Sequence, residues 1–182
     1  MIEIVPIDSK NNLFYIKNLF PDELIESINK IDPESYEFIR LHLQEQKPRK
    51  RLVTKENDVF TKLHIHIKEN LEFISQKVNL RLLLNDTAVW YDSQDYTIGI
   101  HQDNPGVSAA MQIYLNDIDR TLGTSFFYEN DIKNKRYEFE FKPNTGYLMI
   151  NDKGQWHGMT RSVPLDTYRL STYTYFQYEI NK

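Results

Sequence analysis

Residues 82–92 read LLLNDTAVWYD, and the texture of this stretch decides the fold class. Its apolar, β-branched and aromatic residues form a run of strand length, which predicts a strand. The same texture recurs in YTIGIHQD (96–103), SAAMQIYLND (108–117), TSFFYEN (124–130), RYEFEFKP (136–143), GYLMIND (146–152) and YRLSTYTYFQYEI (168–180). Turn-formers such as NPG, PNTG and NDKG separate these runs. Strands in this succession, with no helical interruption, predict an antiparallel sandwich or barrel.

Upstream the pattern is mixed. FYIKNLF (14–20) reads as a strand, and PDELIESINKI (21–31) as a helix. In that helix Pro21 suits the first turn, and Leu24, Ile25, Ile28 and Ile31 recur at helical spacing. A second helix is expected over 59–78, with Phe60, Leu63, Ile67, Leu71, Ile74 and Val78 on one stripe. The expected plan is one domain over 1–182, α+β and mostly β. A helical N-terminal layer over 1–80 packs on an all-β core over 81–182.

Composition narrows the function classes. The chain's 182 residues suffice for one substantial core, and its 12 Tyr and 10 Phe against 6 Gly favour strands. The absence of cysteine excludes disulfides, thiolate metal sites and cysteine nucleophiles. The net charge is −4, and the main basic run, KPRKR (47–51), reads as a solvated surface segment, so nucleic acid is not an expected partner. No run approaches the roughly 18 apolar residues of a membrane helix, and the N-terminus lacks a secretory pattern. The expected location is cytoplasmic.

Chemistry enters with HQD. On a strand His101 and Asp103 project to the same side, so an imidazole and a carboxylate stand together as two members of a facial triad for Fe(II). A third ligand must come from elsewhere among the 5 histidines. His64 and His66, in HIH, lie on the expected helix, where residues two apart point about 200° apart and cannot share one ion. They read as surface or boundary histidines. His42 also lies in the helical half, which leaves His157, in GQWHGMTR, after a predicted strand. Further on, Arg169 and Ser171 share one face of the last strand, a guanidinium and a hydroxyl suited to clamping a carboxylate. Alternation alone does not decide whether that face is the core or solvent.

The ordered set HQD, WHG and RLS resembles the Fe(II)- and 2-oxoglutarate-dependent oxygenases, over roughly residues 90–176. WYDSQDYTIGIHQDNPG and IYLND are similar to the prolyl-hydroxylase-type members, as are GTSFFYE and KPNTGYLMIND. The resemblance implies a double-stranded β-helix (jelly-roll) core. It also implies iron ligation by His101, Asp103 and His157, and cosubstrate binding by Arg169, Ser171, Tyr91 and Tyr114. The implied cofactors are Fe(II), 2-oxoglutarate and O2, with ascorbate as a candidate reductant. The implied activity is hydroxylation of an unactivated C–H bond, coupled to decarboxylation of 2-oxoglutarate to succinate. The expected substrate is a peptidyl proline or another protein side chain. The alternatives are a small-molecule metabolite, or a non-catalytic metal-binding β-barrel module. The gap from His157 to the arginine is longer than in many prolyl hydroxylases. Arg161 lies nearer His157, at an expected turn, and is the second candidate for the clamp.

Overall fold

The computed structural model describes residues 1–8, 12–42, 47–54, 57–104, 108–151 and 154–179. Parts of the expected NPG and NDKG turns (105, 106, 152 and 153) and the last residue of the final predicted strand, Ile180, lie outside the described residues.

The protein is mostly β, and the described residues include three α-helices on one side of a large antiparallel sheet. The strands are β1 (Glu3–Pro6), β2 (Leu13–Lys17), β3 (Phe38–Ile39), β4 (Arg49–Leu52), β5 (Arg81–Asp92), β6 (Ala109–Tyr114), β7 (Ser125–Phe127), β8 (Lys135–Glu138), β9 (Thr145–Ile150), β10 (Trp156–Gly158) and β11 (Arg169–Glu179). Eight of them form the main sheet in the order β1-β2-β9-β6-β11-β5-β4-β3, and β10-β7-β8 form a second sheet. Every ladder is antiparallel.

Period-two alternation assigns the two faces of the main sheet. On β6, Ala109, Met111 and Ile113 enter one apolar cluster, while Ala110 and Tyr114 enter another. On β9, Leu148 and Ile150 divide from Tyr147 and Met149 in the same way. The first cluster is closed by helices α1 (Asp22–Asn29), α2 (Asp58–Glu69) and α3 (Leu71–Val78), through Leu24, Ile28, Leu63, Ile67, Ile74 and Val78. The second is closed by Leu122, Phe126, Phe139 and Phe141 on the side of the small sheet. The main sheet is therefore buried on both faces, which is why its central strands are nearly all apolar.

Three expectations change. The single helix over 59–78 is two helices. Asn70, at φ −94° and ψ 2°, leaves helical geometry, and its side chain donates to the His66 carbonyl (2.8 Å). The apolar stripe runs on across the break, so spacing alone could not reveal it. The N-terminal layer is not purely helical, because β1 to β4 extend the main sheet at both edges. Finally, residues 96–103 form no regular strand. The chain there runs beside 157–163 through separate contacts, Tyr96 to Val163, Ile98 to Met159 and His101 to His157, whose register slips from one to the next. Asp95, at φ 66°, turns the chain out of β5 just before it. Among the described residues no helix is long and apolar enough to cross a membrane.

β9 runs between β2 and β6, and Gly146 allows the close approach to β6. A Cβ on Gly146 would lie 1.8 Å from the Gln112 carbonyl oxygen, which is backbone and cannot swing aside. Gly146→Ala is expected to cost about 3 kcal/mol by overpacking. The measurement is urea unfolding, where the midpoint should fall with the slope unchanged.

Candidate metal centre and anion pocket

His101 and His157 are brought together by backbone. Each donates its amide N–H to the other's carbonyl at 2.9 Å, an antiparallel bridge between the segment after β5 and strand β10. Gly158 makes the approach possible, since a Cβ there would sit 2.7 Å from the Gly99 carbonyl oxygen. The rings follow the backbone, with centroids 4.4 Å apart. Phe126 of β7 stacks on His157 at 5.5 Å and meets Tyr147 edge-on at 5.0 Å, which fixes the imidazole from below.

Hydrogen bonding then sets the tautomers. His101 Nδ1 lies 2.9 Å from the Gly99 carbonyl, and His157 Nδ1 lies 2.8 Å from the Gln155 carbonyl. A carbonyl only accepts, so each Nδ1 carries the proton and each Nε2 presents a lone pair. Both Nε2 atoms lie 3.7 Å from Oδ1 of Asp103. The other Asp103 oxygen, Oδ2, accepts from the Tyr173 hydroxyl at 2.9 Å. Two lone pairs and a carboxylate thus converge, with the ligand atoms within 4.8 Å of one another, an arrangement that repels itself unless a cation sits among them.

The electrostatics agree with the burial. The neighbouring Asp103 carboxylate holds His101 above the ordinary imidazole value, while burial pushes His157 below it. Burial alone would raise Asp103, but the two histidines and Tyr173 outweigh it and hold the carboxyl below the usual range. His157 is buried, whereas His101 and Asp103 are only half-buried, so the group opens to solvent on their side.

The three side chains line a cavity of about 160 Å³, together with Arg49, Trp90, Gln112, Tyr147 and Arg169. The open question about the last strand is resolved here, because Arg169 is 1 % exposed and faces this cavity. Its Nη1 lies 2.6 Å from Met159 Sδ and 3.5 Å from Asp92 Oδ2, and its guanidinium stands 5.3 Å from the Phe141 ring. Among the described residues its buried Nε has no hydrogen-bond partner. A buried guanidinium with an unsatisfied donor and a sulfur contact is poorly compensated, which is the condition an incoming anion relieves.

The remaining sequence candidates divide. Ser171 lies on the same face of β11 as Arg169 but stands behind the wall. Its hydroxyl accepts from Gln112 Nε2 (3.1 Å), and Gln112 Oε1 accepts from Thr124 (3.0 Å). Tyr114 also faces this side and is fully buried beneath the cavity, where its hydroxyl accepts from the Thr124 amide (2.9 Å) and its ring stacks on Phe141 (4.4 Å). Tyr91 is not brought to the site. It packs in the helix-side cluster against Phe38 and Tyr168, because β5 turns Trp90 and Asp92 to the cavity and Tyr91 away. Arg161 is exposed, bonded to Thr121 and 3.4 Å from Asp119, and does not line the cavity. His64 and His66 are half-buried on α2, and His66 Nε2 lies 2.8 Å from the Leu19 carbonyl.

Sequence reasoning missed Tyr173 and Arg49. Tyr173 was accessible in principle, since it follows Arg169 and Ser171 at every second residue of the last strand. Arg49 was concealed in KPRKR, whose last three residues are not a solvated segment but part of strand β4, in register with β5. Alternation there sends Lys50 over the Tyr91 ring (5.4 Å) and Arg49 to the cavity.

No protein-family model and no curated protein matches the sequence. Solved structures do. A Pseudomonas putida prolyl-4-hydroxylase is 12% identical, with a TM-score of 0.64 over 91% of this chain and 92% of its own. A Trichoplax adhaerens prolyl hydroxylase, in complex with a hypoxia-inducible-factor peptide fragment, is 14% identical at a TM-score of 0.62, covering 91% and 84%. HygX of Streptomyces hygroscopicus, with nickel, 2-oxoglutarate and hygromycin B bound, is 14% identical at 0.62, covering 91% and 82%. At such identities likeness speaks for the fold alone, and the fold of this chain is that of the prolyl hydroxylases and other 2-oxoglutarate-dependent oxygenases.

Proposed function

We propose that the protein is an Fe(II)- and 2-oxoglutarate-dependent oxygenase with a double-stranded β-helix core, which hydroxylates an unactivated C–H bond. The observation that carries this reading is one cavity with two kinds of unmet demand: two imidazole lone pairs facing a carboxylate, and a buried guanidinium with an unpartnered Nε. The first fits a divalent cation and the second fits a carboxylate. His101, Asp103 and His157 would hold iron, and Arg169 would receive the distal carboxylate of 2-oxoglutarate. When bound, iron, 2-oxoglutarate and O2 supply oxidative decarboxylation to succinate and CO2 and the transfer of an oxygen atom, with ascorbate as the reductant that keeps the metal ferrous.

The chain's own residues supply orientation. Tyr173 fixes Asp103 by its hydroxyl, and the Gly99 and Gln155 carbonyls fix the imidazoles. Tyr147 and Trp90 give the cavity aromatic walls, and Phe126 backs His157. A cavity of about 160 Å³ lies below the usual size for drug-like ligands, so a substrate has to reach the metal from the open side beside His101 and Asp103. That favours a group projecting from a larger molecule, and we take a peptidyl proline or another protein side chain as the substrate. A small metabolite is the second reading, supported by the hygromycin B complex of HygX.

Under anaerobic titration the wild type should bind one Fe(II) or Mn(II). His101→Ala and Asp103→Ala should abolish that binding, and Tyr173→Phe should weaken it by about tenfold to a hundredfold. With Fe(II), 2-oxoglutarate and O2, succinate release should occur at a basal rate and rise when proline-rich peptides are added. Arg169→Met should raise KM for 2-oxoglutarate by about tenfold or more, the size of a lost charge-assisted pair, while Tyr91→Phe should leave it unchanged. A wild type that binds neither metal nor 2-oxoglutarate would leave a non-catalytic β-barrel module as the reading.

A further inference from the structure

Three charged side chains stand in register across three adjacent strands. Arg49 of β4 pairs with Asp92 of β5, and Asp92 pairs with Arg169 of β11, so the cavity face carries a plus-minus-plus row. Asp92 is fully buried, and its two oxygens are unequally shared. Arg49 engages both, Nε to Oδ1 at 2.5 Å and Nη2 to Oδ2 at 3.1 Å, the bidentate fork. Arg169 only reaches Oδ2 at 3.5 Å and turns its Nη1 to a sulfur instead. Arg49 is itself held between the rings of Tyr96 (4.2 Å) and Trp90 (4.9 Å). The row sums to one uncompensated positive charge, and it is Arg169 that carries it.

We propose that Arg49 is a positioning residue for the cosubstrate clamp: by occupying both oxygens of Asp92, it prevents Asp92 from neutralising Arg169 and keeps that charge for the distal carboxylate of a dicarboxylic 2-oxo acid. This rests on the reading of the site given above. Without Arg49, the nearest cation to the buried carboxylate is Arg169, and a closed Asp92–Arg169 pair has no net charge to offer. The consequence is selectivity. The row discriminates a dicarboxylate such as 2-oxoglutarate from a monocarboxylate such as pyruvate, because only the former has a second anion to place at Arg169.

The test is equilibrium binding to Mn(II)-loaded protein without O2, followed by calorimetry, with 2-oxoglutarate and pyruvate as the probes. Arg49→Gln should weaken 2-oxoglutarate by about tenfold or more, the cost of losing a charge-assisted contact, and leave pyruvate unchanged. The double variant Arg49→Gln with Asp92→Asn should recover affinity for 2-oxoglutarate, because Arg169 is again the one charge in the row. A role of Arg49 in folding alone predicts otherwise: both ligands weaken together, and the double variant is no better than the single one. Either of those results overturns the proposal, as does wild-type affinity in Arg49→Gln. Thermal unfolding of each variant shows whether it is folded at the titration temperature, and Arg49→Lys, which keeps the charge without the fork, should fall between wild type and Arg49→Gln. A wild type that takes up Mn(II) but not 2-oxoglutarate overturns the oxygenase reading, and this inference with it.

Discussion

The site depends on a reciprocal pair of backbone hydrogen bonds between His101 and His157. It joins a segment that leaves the main sheet at Asp92 to a strand of the small sheet, and so holds the two sheets' functional side chains in one place. Backbone pairing is well suited to this task, because it fixes Cα positions without consuming any side-chain donor. Both imidazole Nε2 atoms and the Asp103 carboxylate are therefore left to converge on each other. The cost is local. The segment gives up regular strand geometry to reach across, and the glycine at 158 removes the side chain that would keep the backbones apart.

A division of labour follows from the doubly buried main sheet. One face is mostly apolar, with Thr87, Thr172 and Thr174 buried among its aliphatic residues, and binds the helices; the other is apolar at its centre and polar toward Arg169, Gln112 and Tyr173. The polar side chains there are mostly tied to each other. Ser171, Gln112 and Thr124 form a chain of hydrogen bonds along the cavity wall, and such a chain holds its members rigid only when nearly all their bonding capacity is met. Against that background the few unmet groups stand out as chemically meaningful.

Much of this was legible in the sequence. Strand-length runs between turn-formers pointed to most strands, and the scarcity of histidine selected His157 as the partner of HQD, since the other histidines fall in the expected helical half. Tyr91 could not be placed by spacing, because a strand offers two faces and counting from His101 crosses an irregular segment that shifts the phase. Its neighbours Trp90 and Asp92 took the cavity face. Arg49 was concealed for another reason: a basic run looks solvated unless a buried anion answers it, and Asp92 is forty-three positions away in the chain. The break at Asn70 left no trace in the apolar stripe, which passes from α2 to α3 without interruption.

The strand order β1-β2-β9-β6-β11-β5-β4-β3 also has a meaning in time. Residues 13–17 pair with 145–149, and residues 49–51 pair with 90–92, so the early strands join the main sheet only through much later residues. Such long-range pairing makes for slow folding, because loop closure precedes the contacts that reward it. Strand β11 inserts between β5 and β6 and brings Arg169 with it. One wall of the cavity is thus supplied by the last strand of the chain.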